Sequence, residues 1–224
     1  REVGTLGVGT FSRVTMVQLQ GTNETYALKM MKKTVIEARK QKEHIMNEKN
    51  IMLEMTGHPF LLQLRATFKD ETYLYMVLEL CQGGELFLRL LEEQTLSEET
   101  TRFYTGNIVL ALEALHAKNN IYRDLKPENI LLKDSNDSDS LDVVLVDFGI
   151  SREFAFRGMR QTDILGTYAF MAPEAAKGSY DERADAWSVG VVLYIMLCGN
   201  MPFGGDTDDE IRRSVSSGRY VMDQ

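Results

Sequence analysis

Cysteine and proline are scarce in this chain: its 224 residues include two cysteines and four prolines, with one tryptophan and three histidines. The cysteines, Cys81 and Cys198, lie far apart, and nothing around them resembles a disulfide framework or a CxxC metal knuckle. A reduced chain in the cytosol, or in the nucleus, is the expectation. Long apolar runs are missing as well. The stretch from Ser188 to Cys198 is about half of what a bilayer-spanning helix requires. No basic-then-apolar leader opens the chain, although residue 1 is Arg and truncation at both ends is expected. Positive charge is in deficit, with 25 Lys and Arg against 33 Asp and Glu, a net charge of −8 and a pI near 5.0. Such a surface repels phosphate backbones and anionic lipid, so neither nucleic acid nor membrane is the expected partner. Cationic partners, basic peptides among them, are favoured.

What remains is ordinary globular composition, 44% hydrophobic and 26% charged, with no internal repeat and no long linker. The first third reads as strands around a helix. Val14 to Leu19 and Thr25 to Met30 are rich in β-formers and are separated by a hairpin signal, Gly21-Thr22-Asn23. Lys32 to Met55 reads as one long helix carrying Ile36, Ile45, Ile51 and Met52 among many charges. Leu61 to Phe68 and Tyr73 to Leu80 read as strands. After a hinge near Gln82-Gly83-Gly84 the pattern turns helical, and Ser97 is placed to cap a helix running to about Ala117. Val143 to Val146 is a short β run, and Arg183 to Leu197 reads as a buried helix. The loop Ser135 to Ser140 is polar and acidic. Asp134, Asn136 and Asp139 invite a calcium-loop reading, but no Gly stands at its sixth position and its twelfth is Leu145, so a solvated turn is expected.

Several short stretches carry chemistry. In Leu6-Gly7-Val8-Gly9-Thr10-Phe11-Ser12-Arg13-Val14, glycines at that spacing let backbone N–H groups approach phosphate, while Ser12 takes the place of a third glycine. A plain hairpin explains this stretch almost as well. Lys29 lies in an otherwise apolar strand, either facing solvent or meeting a phosphate. Glu48 can pair with it, and Glu37, Glu43 and Glu54 are no worse on spacing alone. The strongest stretch is Ile121 to Asn129. Asp124 can accept a hydroxyl proton, Lys126 can neutralise a transferred phosphoryl group, and Asn129 can bind a metal ion. Asp147-Phe148-Gly149 supplies a second metal ligand, and Gly166-Thr167 and Ala172-Pro173-Glu174 follow in order.

Across essentially its whole length the chain resembles a eukaryotic protein kinase of the serine/threonine type. Tyr122-Arg123-Asp124 in place of His-Arg-Asp is similar to the cAMP-dependent branch. Gly83 to Phe87, Ala186 to Val191 and Leu197-Cys198-Gly199 with Pro202-Phe203 resemble calcium/calmodulin- and calcium-dependent kinases, and the balance of motifs leans that way. The resemblance implies an α+β fold of two lobes: a small β-rich lobe with one main helix and its hinge at 1–81, and a larger, mostly helical and incomplete lobe at 82–224. It implies ATP and Mg²⁺ as cofactors. Adenine would sit between Val14, Ala27 and Leu131 under a gatekeeper at Leu78, with the backbone of Glu79 and Cys81 reading its edge. Cys81 is then a small hinge residue and not a nucleophile. Lys29 would hold the α- and β-phosphates and pair with Glu48. Asp147 and Asn129 would bind Mg²⁺, Asp124 would be the base, and Asp185 would hold the catalytic loop from below.

The same resemblance bears on substrates and control. Glu85, aided by Glu128, matches a position that meets an arginine three residues before the target Ser or Thr. Ile195 stands where an acidic residue would select a second arginine. Thr167 fits Ser/Thr acceptors. Arg123, Arg152 and His44 resemble a pocket for an activation-loop phosphate, and Asp163, beside Thr162, already brings a negative charge to the matching position. The loop is therefore expected to order without phosphorylation there. A calcium-sensing module, fused or separate, would lie outside this chain. The rival reading is a pseudokinase or scaffold. It calls for loss of Lys29, Asp124, Asn129 or Asp147, and all four are present.

Overall fold

The computed structural model describes residues 1–9, 12–133, 142–155 and 158–220. Strands β1 (Glu2–Val8), β2 (Ser12–Gln18), β3 (Thr25–Lys32), β4 (Leu64–Lys69) and β5 (Tyr73–Leu78) form one antiparallel sheet in the order β1-β2-β3-β5-β4. The β2–β3 turn falls on the expected hairpin residues, where Gly21 takes a φ of +83° that costs a glycine little. Register sets Ala27 opposite Leu78 and Lys29 opposite Met76, so β3 faces β5 along its length.

The single helix expected over Lys32 to Met55 is two helices, α1 (Lys33–Ala38) and α2 (Lys42–Glu54). The break has a local cause. Between Ile36 and Ile45 no large apolar residue occurs to bury a continuous face, and Lys40 turns left-handed at φ +54°. The Gln41 N–H then closes α1 on the Ile36 carbonyl at 2.9 Å. Beyond the break, Ile45, Glu48, Ile51 and Met52 make the buried stripe of α2. The strand expected from Leu61 starts instead at Leu64, and Leu61 is fully buried in a single bridge to Leu145.

The second half is helical. In chain order come α3 (Leu86–Glu93), α4 (Glu98–Ala117), the short strands β6 (Asn120–Ile121), β7 (Ile130–Leu132), β8 (Val143–Leu145) and β9 (Arg152–Glu153), then α5 (Pro173–Ala176), α6 (Arg183–Cys198) and α7 (Asp208–Ser217). β6 pairs with β9 and β7 with β8. These two-strand ladders hold the loops between them in place. Ser97 caps α4 as expected, its side chain accepting the Thr100 N–H at 3.1 Å. α6 runs through the interior with Ala184, Asp185, Ser188, Val191, Val192, Ile195 and Met196 buried, and ends on Gly199 at φ +71°. The main core is continuous from Met31 and Met52 through Leu61 and Leu145 to Leu115 and Val192, so the sheet and the helical half share one interior. Among the described residues no helix is long and apolar enough to cross a membrane.

The cap on α4 gives a direct stability test. Ser97→Ala removes the acceptor for an otherwise orphaned N–H and is expected to lower unfolding free energy by about 1 kcal/mol in urea denaturation, with Ser97→Asp close to wild type.

Candidate active site

Residues scattered from 29 to 167 are joined by a chain of contacts that runs from the sheet through α2 to the helical half. Lys29, in the middle of β3, points at Glu48 on α2, with Nζ 2.7 and 2.8 Å from the two carboxylate oxygens. Of the four glutamates that spacing left open, Glu48 is therefore the partner. The pair is largely withdrawn from water, with the lysine side chain 15% and the glutamate 6% exposed. Each charge thus depends on the other for its solvation.

Asp124 lies in the loop after β6 and is held from three sides. Thr167 Oγ1 donates to its Oδ1 at 3.1 Å, Asn129 Nδ2 to its Oδ2 at 3.0 Å, and Lys126 Nζ stands 3.0 Å from Oδ2. Lys126 also donates to Thr167 Oγ1 at 3.1 Å, which ties the loop to the 166–170 segment. That closeness demands a glycine at 166. Its φ is +112°, and a Cβ there would stand 2.6 Å from the Arg123 carbonyl oxygen.

Asp147 completes the group. Its neighbour Val146 donates its N–H to the Asn129 carbonyl at 3.0 Å, and Phe148 on the other side accepts from Asn47 of α2 at 3.2 Å. Asp147 is thereby fixed between the 121–129 loop and the helix that carries Glu48. Its φ is +59°, a left-handed backbone that a non-glycine residue keeps only where its surroundings impose it. Phe148 is buried and packs edge-on against Tyr122, with ring centroids 5.8 Å apart. The Tyr122 hydroxyl donates to the Val146 carbonyl. Burial first, then the nearby aspartates, push the Tyr122 phenol well above its usual range, so it stays a donor.

Beneath the loop, Asp185 of α6 accepts the N–H groups of Tyr122 and Arg123, each at 2.9 Å, and approaches His116 Nε2 at 2.7 Å. Nothing in the sequence marked His116, Tyr180 or Asn47. Each is distinguishable only once its partner is known. Above the loop, Asp163 pairs with Arg152 and lies 4.0 Å from Arg123, while Tyr180 bridges Arg123 and the Asp163 carbonyl. His44 does not join them; its Nδ1 contacts Gln41 Oε1 of its own segment at 3.0 Å. Thr162 is exposed.

The remaining expected residues line the approach. Leu6, Gly7 and Val8 lie on β1, with Leu6 and Val8 exposed, and the Gly9 N–H reaches the Ser12 carbonyl at 2.8 Å. Thr10 and Phe11 lie outside the described residues, as does the acidic loop containing Asp134, Asn136 and Asp139. Val14 pairs with Lys29, Ala27 with Leu78, and Leu131 bridges to Glu85. Glu79 spends its N–H on the Gln63 carbonyl at 2.9 Å, and its carboxylate meets Lys133 at 2.9 Å. Among the described residues, the Glu79 carbonyl and the Cys81 N–H are left without partners. Glu85 makes no ion pair there, and Glu128 keeps a buried, unpartnered carboxylate oxygen.

Residues 1–222 match the family model for the protein kinase domain. A cGMP-dependent protein kinase of Drosophila melanogaster (isozyme 2 forms cD5/T2) is 44% identical over 92% of this chain and 21% of its own length. The serine/threonine-protein kinase sgk-1 of Caenorhabditis elegans is 40% identical over 92% of this chain and 44% of its own. AtPK1/AtPK6 of Arabidopsis thaliana is 41% identical over 98% of this chain and 46% of its own. The chain thus spans about a fifth of the first relative and less than half of the other two.

Protein kinases work with ATP and Mg²⁺, and the residues present fit both. Mg²⁺ takes hard oxygen ligands and needs only one or two from the protein beside phosphates and water. Asp147 is exposed, with a single Gly149 N–H 3.2 Å from Oδ1. Asn129 turns its Nδ2 to Asp124, which leaves its amide oxygen as the metal donor. The free carbonyl and N–H at Glu79 and Cys81 offer an adenine edge one acceptor and one donor.

The hinge also yields a pH test. Burial, and then the Glu79 carboxylate, push the Cys81 thiol up to about 11. At pH 8 its thiolate fraction is therefore about a hundredfold below that of an ordinary thiol. Alkylation of Cys81 by iodoacetamide, followed by mass spectrometry, is expected to be slow at pH 8 and to quicken only above pH 10.

Proposed function

Because the chain belongs to the protein kinase domain family, we propose that its parent protein is an active serine/threonine protein kinase. The observation that carries this reading is the chain of contacts that runs from Lys29–Glu48 through Asn47 on the same helix to the turn at Asp147, and from Val146 through Asn129 to Asp124, Lys126 and Thr167. We place the small lobe and hinge at 1–81 and the large lobe at 82–224. Lys29, oriented by Glu48, holds the α- and β-phosphates. Gly7, Val8, Gly9 and Ser12 border them, and Val14, Ala27, Leu78 and Leu131 enclose the base. Mg²⁺, held by Asp147 and Asn129, supplies the positive charge that the triphosphate needs. Asp124 takes the proton of the acceptor hydroxyl as that oxygen bonds the γ-phosphorus and the bridging P–O bond breaks toward ADP. Lys126 stabilises the charge on the phosphoryl oxygens, and Thr167 steadies Asp124 and Lys126 on the acceptor side.

The unpaired carboxylates of Glu85 and Glu128 support a substrate with arginine three residues before the target Ser or Thr. A charge-assisted contact of that kind contributes about 1.5–3 kcal/mol. Ile195 is buried and offers no acid for a second arginine. As to branch, the cGMP-dependent relatives favour the cyclic-nucleotide side of the likeness, which Tyr122-Arg123-Asp124 shares. Calcium dependence draws no support from them. The test is phosphate transfer from Mg-ATP by the full-length parent to an arrayed peptide library. Replacing the third upstream arginine should cut kcat/KM at least tenfold, and Asp147→Asn should abolish transfer. Transfer by the Asp147→Asn variant, or none by wild type, would overturn the reading.

We infer further that the Asp163 carboxylate stands in for an activation-loop phosphate. It sits beside Arg152 and near Arg123, whose side chain is 6% exposed and would otherwise carry a charge with little water around it. Asp163→Ala is expected to lower kcat about tenfold, whereas Thr162→Ala leaves it near wild type. Unchanged kinetics in Asp163→Ala would sink the idea.

A further inference from the structure

One half-exposed residue of α2, Asn47, has so far figured only as a partner of Phe148. Asn47 precedes Glu48, a turn of 100° around the helix, and so faces the helical half while Glu48 faces β3. Its Nδ2 donates to the Phe148 carbonyl at 3.2 Å and to the Ser151 carbonyl at 2.5 Å, across 101 and 104 residues of chain. Those carbonyls bound the turn after Asp147, which the Ser151 N–H closes on the Phe148 carbonyl at 3.1 Å.

The other side-chain anchors of this turn come from the large lobe. Arg123 Nε donates to the Ile150 carbonyl, Ser151 Oγ to the Tyr122 carbonyl, and Tyr122 to the Val146 carbonyl. Asn47 is the side chain among the described small-lobe residues that hydrogen-bonds the same turn. The left-handed backbone at Asp147 persists only while the turn is held from several sides. One rigid helix thus carries two adjacent contacts, Glu48 to Lys29 and Asn47 to the Asp147 turn. A displacement of α2 that breaks one breaks the other.

We propose that Asn47 is a positioning residue that couples the placement of α2 to the orientation of Asp147, so that the phosphate-binding lysine and the metal-binding aspartate are set together. The link is a pair of hydrogen bonds from a neutral amide, and it needs donors: a carboxylate at the same place would face two carbonyl oxygens and be repelled. This role rests on the kinase reading for its effect on rate, but the mechanical link itself can be read without any reaction.

The experiment compares Asn47→Asp and Asn47→Leu, both close in size to Asn, with wild type in the full-length parent. Hydrogen–deuterium exchange without nucleotide reads the link. Peptides spanning 147–153 should exchange about tenfold faster in both variants, the effect of losing roughly two ordinary hydrogen bonds, while those from the core of α4 stay unchanged. Steady-state kinetics reads the consequence. The Mg²⁺ concentration for half-maximal rate should rise about tenfold with the peptide KM nearly constant, and Asn47→Gln, which keeps its donors, should recover most of the loss. Unchanged exchange at 147–153 would overturn the proposal, as would an equal rise in α4 or a peptide KM that moves with the Mg²⁺ requirement. If wild type transfers no phosphate, the kinase reading fails, and the exchange data still decide whether Asn47 holds the turn.

Discussion

The arrangement hangs on one buried carboxylate. Asp185 is 1% exposed, and an ionised group so placed is tolerable only if its lone pairs are met by donors. Two of these are consecutive backbone N–H groups, from Tyr122 and Arg123, and the third is a ring nitrogen of His116. Two adjacent amides meet one carboxylate, and just past them the chain bends, with Arg123 at a φ of +71°. From that bend everything nearby takes its direction. Tyr122 projects inward to hold Val146 and pack on Phe148, Arg123 reaches Ile150 and Tyr180, and Asp124 turns toward Lys126, Asn129 and Thr167. The bend is anchored to α6, whose buried residues belong to the core of the large lobe.

The two halves of the molecule use charge differently. In the helical half, polar groups near the loop are bound many times over: Asp124 has three partners and Asp185 three. In the small lobe the Lys29–Glu48 pair joins β3 to α2, which α1 and the left-handed Lys40 separate from it in the chain. In the family to which the chain belongs, phosphoryl transfer depends on placement more than on covalent chemistry.

Much of this was legible in the order of residues, for a physical reason. Where a loop must present particular functional groups, few residue types will serve, and 121–129, 147–149 and 172–174 read clearly. Elements that declare themselves by period or cap were also legible: strands β2, β3 and β5, the Ser97-capped α4 and the apolar α6. The helix across Lys32 to Met55 was misread because charged residues are compatible with a helix wherever they occur, and only the absent apolar stripe between Ile36 and Ile45 betrays the break. The choice among Glu37, Glu43, Glu48 and Glu54 could not be made from spacing, because it depends on how α2 is rolled against β3. Two-residue ladders such as β6 with β9 leave no periodic trace, as each strand is shorter than one full alternation. Asn47 looked like any solvated helix residue.

The carboxylate of Asp163 has a consequence of its own. A phosphate at such a place is a reversible ester, added by one enzyme and hydrolysed by another, and its presence records a signal. A carbon-bound acid has no ester bond to cut. On the proposed role of Asp163, Arg152 and Arg123 gather around a charge written into the gene, one that no phosphatase can remove.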